Sequence, residues 1–166
     1  MTFPHALAQA ADLIQARLDA ALAGGEDQKV VHAMRYAVRG GKRLRGFLVL
    51  EAARMLGVPP ARAVSAAAAV EALHAYSLIH DDLPCMDDDD LRRGLPTIHV
   101  KWDEATAVLA GDALQTLAFE LLCDPALGSA EVRIILVAGL ARASGAKGMV
   151  LGQAVDIAAE TAVVPL

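Results

Sequence analysis

The sequence predicts an all-α fold, and three observations support this. Hydrophobic residues make up 55% of the 166 residues but aromatic residues only 4%, so the apolar content is mostly Ala, Leu and Val. Ala and Leu favour helices. Apolar residues recur at helical spacing between short breaks that contain Gly or Pro, and no segment alternates convincingly with a period of two. A charged fraction of 21% and a mean hydropathy of +0.41 argue against a disordered chain.

The breaks divide the chain into a series of helices. The first ends at Gly24–Gly25, and the others are predicted at 30–37, 44–56, 61–82, 104–122, 130–144 and 149–159. Pro60 is well placed to open the long fourth helix. A polar stretch, 83–97, separates the fourth helix from the fifth. No repeat or linker divides the chain, so we expect one helical domain over residues 1–166.

Composition and cysteine content restrict the function. The formal net charge is −5, and the chain has no basic run, which argues against nucleic-acid binding. The first residues are too polar for a signal peptide, and no membrane span is predicted. Cys85 and Cys123 lie far apart without metal-ligand spacing. Reduced thiols of this kind are typical of a cytoplasmic protein.

The strongest local signal is an acidic run that follows the fourth helix. It has six carboxylates in ten residues, from Asp81 to Asp90. Such hard oxygen ligands suit Mg²⁺, which also binds substrate phosphate oxygens. His74 lies two helical turns before Asp81 on the same face, and Arg92 and Arg93 follow the run. This arrangement favours a site where a metal ion and cationic side chains together bind a polyanion. The alternative is a solvated acidic loop.

Two weaker patterns accompany the acidic run. The segment from Gly40 to Arg45 reads GGKRLR, where Lys42 and Arg45 are expected to share a helix face and to bind phosphate. The alternative is a set of solvated surface charges. Gln153 and Asp156 are polar groups three residues apart on a late helix, where surface exposure is the alternative. Other single polar residues are interpreted as structural: His80, His99 and Asp112.

Together, three segments resemble one family in order and spacing. GGKRLR, HAYSLIHDDLPCMDDDDLRRG and MVLGQAVD are similar to the first half of the trans-isoprenyl diphosphate synthases, especially the bacterial farnesyl-producing members. The resemblance implies an antiparallel helical bundle around a central cavity, usually a homodimer. It also implies a Mg²⁺-dependent prenyltransferase, in which an allylic diphosphate ionises, isopentenyl diphosphate attacks the cation and a proton is lost. The allylic substrate is dimethylallyl or geranyl diphosphate, and the product is farnesyl diphosphate.

The resemblance also implies roles for the acidic motif and its neighbours. Asp81 and Asp87 correspond to Mg²⁺ ligands, with Asp82 in support. Arg92 corresponds to a residue that holds the allylic diphosphate, and Gln153 to one that reaches the allylic site. With Lys42, the three aspartates and Arg92 form the implied catalytic set.

A second group of residues is implied to bind the other substrate and to set product length. The diphosphate of isopentenyl diphosphate is expected to contact Lys42, Arg45, His74 and Arg93. Tyr76, with Ser77 beside it, occupies the position that limits chain elongation in farnesyl-producing members. A bulky residue there favours a fifteen-carbon product.

The chain departs from the family pattern in two ways. Gly46 stands where the family usually has Pro after the second arginine of GGKRLR. The second aspartate-rich motif of the family, with the C-terminal helices that carry it, is absent from the sequence. The chain is therefore expected to be the N-terminal part of an incomplete bundle, poorly soluble or dimeric when isolated. Two alternatives stay open: a longer-chain geranylgeranyl diphosphate synthase, and a non-catalytic half-length subunit that binds diphosphate.

Overall fold

Helices dominate the chain, as the sequence predicts. A computed structural model describes residues 2–24 and 27–161. The helices are α1 (Phe3–Ala21), α2 (Lys29–Ala37), α3 (Leu44–Met55), α4 (Val64–Asp81), α5 (Ile98–Lys101), α6 (Glu104–Leu122), α7 (Ala130–Ser144) and α8 (Met149–Thr161). Strands β1 (Leu91–Arg92) and β2 (Leu95–Pro96) form one antiparallel hairpin between α4 and α5.

The core lies around α4, which packs against α6, α3 and α1. Small side chains on α4 allow the neighbouring helices to approach closely. Ala67, Ala68, Ala69 and Ala72 are fully buried there. Large residues from the other helices fill the remaining space, including Ile14, Leu18 and Leu114. The same helix that centres the core therefore carries the acidic motif at its C-terminal end.

The long helices begin and end for local reasons. Asp103 caps α6, because its side chain accepts a 2.7 Å hydrogen bond from the Thr106 amide. Ser129 caps α7 in the same way, through a 3.4 Å hydrogen bond from Val132. The fourth helix begins later than predicted, at Val64, because Pro60–Arg62 forms a separate 3₁₀ turn. The other predicted helices match the observed ones to within a few residues.

The hairpin and the short helix α5 that follows it are elements that the sequence does not predict. The hairpin has strands of two residues each, which is too short for an alternating pattern to be visible. Its turn is formed by Arg93 and Gly94, both with positive φ, at 54° and 77°. This is the type I′ geometry that matches strand twist in two-residue hairpins. The polar stretch therefore contains ordered structure where a loop is expected.

Two helical stretches are long and apolar enough to cross a membrane by length and composition alone. One is α6, half buried, as a core helix of a soluble bundle would be. The other, Ala130–Ala159, is only 6% buried and includes the turn between α7 and α8. Its exposed apolar side chains include Ile134, Ile135 and Leu151. The expectation that the isolated chain associates or is poorly soluble is consistent with this surface and stays a prediction.

Candidate active site

The acidic run folds back over the end of α4. The Asp87 amide donates a 2.9 Å hydrogen bond to the Asp81 carbonyl, and the Asp88 amide donates one of 3.2 Å to the Leu83 carbonyl. Burial raises the pKa of the Asp81 carboxyl, and the nearby charge of Asp87 raises it further. The two carboxylates are thus close enough to repel each other, and a cation between them would relieve that repulsion.

Asp82 has a different environment from Asp81. Its side chain is only 5% exposed, and its Oδ1 accepts hydrogen bonds from Nε of Arg92, at 2.9 Å, and from Nη2 of Arg92. Arg92 Nη2 also lies 3.3 Å from Asp89 Oδ2. The hydrogen bond to Asp82 is the main reason why the pKa of Arg92 is raised. Asp82 therefore fixes the Arg92 side chain. In the part of the chain that the structure describes, the carboxylates of Asp81 and Asp87 form no ion pair.

Residues 41–45 of the GGKRLR segment line a cavity of about 350 Å³ beside α4. Four residues predicted to bind one diphosphate lie around it: Lys42, Arg45, His74 and Arg93. Because α3 begins at Leu44, Lys42 precedes the helix. The expectation that Lys42 and Arg45 share a helix face is therefore wrong, although both line the same cavity.

His74 lies among cations in this cavity. Its Nε2 is 3.3 Å from Nη1 of Arg45. Burial lowers the pKa of His74, and the charge of Arg45 lowers it further. A neutral imidazole can accept the hydrogen bond that the Arg45 guanidinium donates. The cavity thus carries the positive charges of Lys42, Arg45 and Arg93 beside a largely neutral His74, a set of groups that suits an anion.

A buried ion pair between Arg43 and Glu71 forms part of the wall of this cavity. Arg43 is only 7% exposed and has a left-handed backbone with φ of 53°. It donates to Gln15 Oε1 at 2.6 Å, to the Val38 carbonyl, and to Glu71 Oε2 at 3.4 Å. Burial is the main cause that lowers the pKa of Arg43. The sequence reading missed this pair, although a glutamate within the alanine-rich α4 is a signal that could have revealed it.

A second, largely apolar cavity of about 500 Å³ opens beside Asp81. Tyr76, Ser77 and Gln153 line it, as do apolar residues of α6, of α8 and of the segment that follows α4. The Ser77 hydroxyl donates to the His74 carbonyl at 3.0 Å, so it is satisfied within its own helix. Asp156 is exposed and does not line the cavity, in contrast to Gln153.

His80 is better connected than the sequence suggests. Its ring packs edge-to-face on Tyr76, with ring centroids 4.9 Å apart. Its Nε2 lies 3.1 Å from the Val108 carbonyl and 3.9 Å from Oδ1 of Asp112. His80 therefore links α4 to α6 and forms part of the cavity wall. His99 has a local role, since its Nδ1 lies 3.2 Å from the Thr97 hydroxyl.

The acidic motif fits Mg²⁺ in chemistry but does not form a complete site by itself. Within residues 2–24 and 27–161, no three acidic, histidine or cysteine side chains converge as a ready metal site. Mg²⁺ typically binds through one or two carboxylates, water and substrate phosphate. Asp81 and Asp87 could supply those carboxylates, and the ligand would supply the rest.

The fold and these cavities define a helical protein in which a cavity lined by cationic side chains lies near a largely apolar one. The cationic cavity lies beside α4 at His74, and the apolar cavity lies beside the C-terminal turns of the same helix, from Tyr76 to Asp81. The comparison with known proteins agrees, because the family model described as polyprenyl synthetase matches residues 27–164. The chain belongs to the polyprenyl synthetase family, which confirms the predicted resemblance.

Individual proteins of this family are also similar to the chain in sequence. Farnesyl diphosphate synthase of Escherichia coli (strain K12) is 58% identical over 144 residues, which are 85% of this chain and 48% of that protein. The chloroplastic large subunit 1 of a heterodimeric geranylgeranyl pyrophosphate synthase from Arabidopsis thaliana is 48% identical, over 90% of this chain and 42% of that protein. The chain thus spans about half the length of these curated relatives.

A solved structure confirms the fold class. The apo structure of an FPP/GFPP synthase from Zymomonas mobilis superposes with a TM-score of 0.91 at 49% identity. The match covers 96% of this chain and 59% of that one. The predicted helical fold of the isoprenoid synthase type is therefore correct.

Proposed function

We propose that the protein containing this chain is a Mg²⁺-dependent prenyltransferase that makes farnesyl diphosphate. It condenses isopentenyl diphosphate with dimethylallyl or geranyl diphosphate. The observation that carries the proposal is the arrangement along α4. His74 faces the cationic cavity, and Asp81, seven residues or about 10 Å further along the helix, faces the apolar one. Two diphosphates and one apolar chain can thus be held side by side.

The residues divide between the two substrates in this proposal. Lys42, Arg45, His74 and Arg93 bind the diphosphate of isopentenyl diphosphate. Arg92, oriented by Asp82, binds the allylic diphosphate, and Gln153 reaches it from α8. Cations placed along a leaving diphosphate stabilise the negative charge that grows as its bond to carbon breaks.

Asp81 and Asp87 would hold Mg²⁺, with Asp82 in support through Arg92. When bound, the metal ion offsets charge on the leaving diphosphate as a Lewis acid. The allylic carbon–oxygen bond then breaks, the alkene of isopentenyl diphosphate attacks the resulting cation, and a proton is lost. The apolar side chains of the second cavity exclude water from the cation, which would otherwise be hydrolysed.

Product length is assigned to the apolar cavity. Tyr76 and Ser77 lie in its wall, and the Tyr76 ring is held by His80. A bulky side chain at this point favours the fifteen-carbon product. A geranylgeranyl synthase is a second candidate, because a plant relative with that name is 48% identical to this chain. Tyr76→Ala should lengthen the product if the ring limits growth, and an unchanged product would contradict that role.

The remaining parts of the proposal concern the whole protein. Residues 1–166 form the N-terminal part of one isoprenoid-synthase helical domain, and the protein is a cytoplasmic homodimer. Exposed apolar residues on α6 and α7 support association: Leu109, Val132, Ile134 and Ile135. Light scattering on the full-length protein measures its mass, and a monomer at micromolar concentration would contradict the dimer.

The deciding experiment is a condensation assay of the full-length protein with labelled isopentenyl diphosphate and geranyl diphosphate. The proposal expects Mg²⁺-dependent farnesyl diphosphate, and a loss of at least about a hundredfold in rate for Asp81→Asn. Asp12→Asn, the same substitution at an exposed residue of α1 that lines neither cavity, serves as the control for general effects on folding. Diphosphate binding without turnover would instead support the non-catalytic subunit.

A further inference from the structure

The hairpin β1–β2 carries Arg92 and Arg93 but cannot hold itself in place. Its two strands have two residues each, and short isolated hairpins are marginally stable in water. A small cavity of about 70 Å³ separates it from α4, with Ala75 and Ile79 on the helix side. Leu91 and Leu95 of the hairpin are 60% and 57% exposed, so apolar packing holds it only weakly and hydrogen bonds to other elements become important.

The first strand and the second strand are tethered differently. On the first, the Arg92 side chain is bound by Asp82 at the end of α4. On the second, the Tyr36 hydroxyl of α2 donates a 2.8 Å hydrogen bond to the Pro96 carbonyl. At the base of the hairpin, the Thr97 amide donates to the Asp90 carbonyl at 3.0 Å. Arg92 thus has its own anchor, whereas Arg93 depends on the backbone of the turn.

Tyr36 is itself held in one orientation. Its ring packs edge-to-face on Trp102, with centroids 5.4 Å apart and an interplanar angle of 80°. The Lys101 ammonium lies 4.0 Å from the centre of the same ring. Because these two contacts already fix the ring, the Tyr36 hydroxyl can bind the Pro96 carbonyl without further loss of side-chain freedom.

Arg93 reaches from the turn to the cationic cavity. A Cβ on Gly41 would lie 2.8 Å from Arg93 Nη1, so the guanidinium occupies space that this glycine leaves free. No hydrogen bond or ion pair holds the Arg93 side chain among the residues described here. Its position relative to Lys42 and His74 therefore follows from where the turn lies.

We propose that Tyr36 is a positioning residue, which holds the hairpin so that Arg93 faces the cationic cavity. The assignment of that cavity to isopentenyl diphosphate rests on the proposed function. Because Arg92 keeps its bond to Asp82, loss of the Tyr36 tether should weaken binding at Arg93 far more than at Arg92. Tyr36 acts through the Pro96 carbonyl and does not touch the substrate.

The test is Tyr36→Phe in the full-length protein, which keeps the ring and removes only the hydroxyl. The KM for isopentenyl diphosphate should rise about threefold, as for loss of one exposed hydrogen bond, with kcat and the KM for geranyl diphosphate unchanged. Thr116→Val is the matched control, because it removes a hydroxyl-to-carbonyl hydrogen bond of 2.9 Å on α6, away from the hairpin. Equal rises in both KM values, or a fall in kcat alone, would overturn the proposal.

A second measurement does not depend on turnover. Amide hydrogen exchange at Thr97 reports whether the hairpin base stays closed. Exchange should be faster in Tyr36→Phe than in the parent protein and in Thr116→Val. Unchanged exchange would overturn the positioning role even if the enzyme is active. If no variant, nor the parent, condenses the substrates, the proposed function fails while this exchange result still decides the role of Tyr36.

Discussion

The backbone amide of Gly46 donates a 2.8 Å hydrogen bond to Oε1 of Glu71. Gly46 lies in the first turn of α3, where amides lack partners within the helix. A carboxylate from α4 thus caps α3 from outside, and the negative charge suits the positive end of the helix. Glu71 Oε2 pairs with Arg43 at 3.4 Å, so one buried residue joins both elements that shape the cationic cavity.

This contact leads to a prediction about the residue that departs from the family pattern. Gly46→Pro should lower the free energy of unfolding by about 2–3 kcal/mol, since the hydrogen bond to a charged acceptor is lost. A Cβ would also lie 2.6 Å from Ile14 Cδ1 and 3.2 Å from the Ala67 carbonyl. Urea denaturation of the full-length protein measures the change. Gly139→Ala, on an open face of α7, is the control and should be neutral or stabilising.

The Gly46 contact also shows what the sequence can and cannot reveal. The proximity of Lys42 to Arg45, and of Asp81 to Asp87, can be predicted from the sequence, because each pair is close along the chain and local folding brings it together. Glu71 is 25 residues from Gly46, so their contact depends on how α3 packs on α4. From the sequence alone, Gly46 in place of the usual Pro suggests a loosened start of α3. The structure shows instead that the Gly46 amide is hydrogen-bonded to Glu71.

The hairpin illustrates the same limit. Its turn has no Asn-Gly or Asp-Gly signal, and an arginine occupies the left-handed position before Gly94. Tethers from Asp82 and Tyr36 stabilise it, and Tyr36 lies 60 residues from Pro96. Tertiary contacts thus decide the local structure of a stretch that composition predicts as a loop.

A pH prediction follows from His74. Its pKa is below the ordinary value of 6.5 because burial and Arg45 disfavour the charged imidazole. The unfolded chain therefore binds more protons than the folded one below pH 6.5, so stability falls as pH falls through that value. His74→Gln should lose less stability than the parent protein between pH 7 and pH 5. Thermal unfolding across this range measures it, with the exposed His5→Gln as control.

Bound pyrophosphate should raise the pKa of His74. A polyanion between Lys42, Arg45 and Arg93 would offset the charges that lower the pKa of His74. The imidazole should then titrate at higher pH with pyrophosphate than without it. An NMR titration of the His74 ring gives the pKa in both states, and identical values would place the anion elsewhere.

The two adjacent aspartates at the end of α4 should respond differently to mutation. Asp82→Ala removes the buried partner of Arg92 and should cost about 1–2 kcal/mol of stability. Asp81→Asn should instead raise the melting temperature of the metal-free protein at neutral pH. The reason is that the pKa of Asp81 is raised in the folded protein, so ionisation of its carboxyl lowers the free energy of unfolding as pH rises through that pKa.

Thermal unfolding in EDTA, and again with Mg²⁺ and pyrophosphate, separates these effects. Asp82→Ala should melt lower in both conditions. Asp81→Asn should melt higher in EDTA but gain less than the parent protein when metal and pyrophosphate are added. If both variants melted lower in EDTA by the same amount, Asp81 would be a structural residue like Asp82.

The last prediction concerns the wall between α4 and α6. A Cβ on Gly111 would lie 2.1 Å from His80 Nε2, so the imidazole occupies the space that this glycine leaves. Gly111→Ala should therefore displace the ring from Val108 and Tyr76, at a cost of about 1–3 kcal/mol. In a His80→Ala background the same change should stabilise by about 0.5–1 kcal/mol, because alanine favours a helix when no clash opposes it. The sign change is measured by denaturation of the four proteins in the double-mutant cycle. Equal effects of Gly111→Ala in both backgrounds would show that His80 does not rely on Gly111, and that the two helices approach closely for another reason.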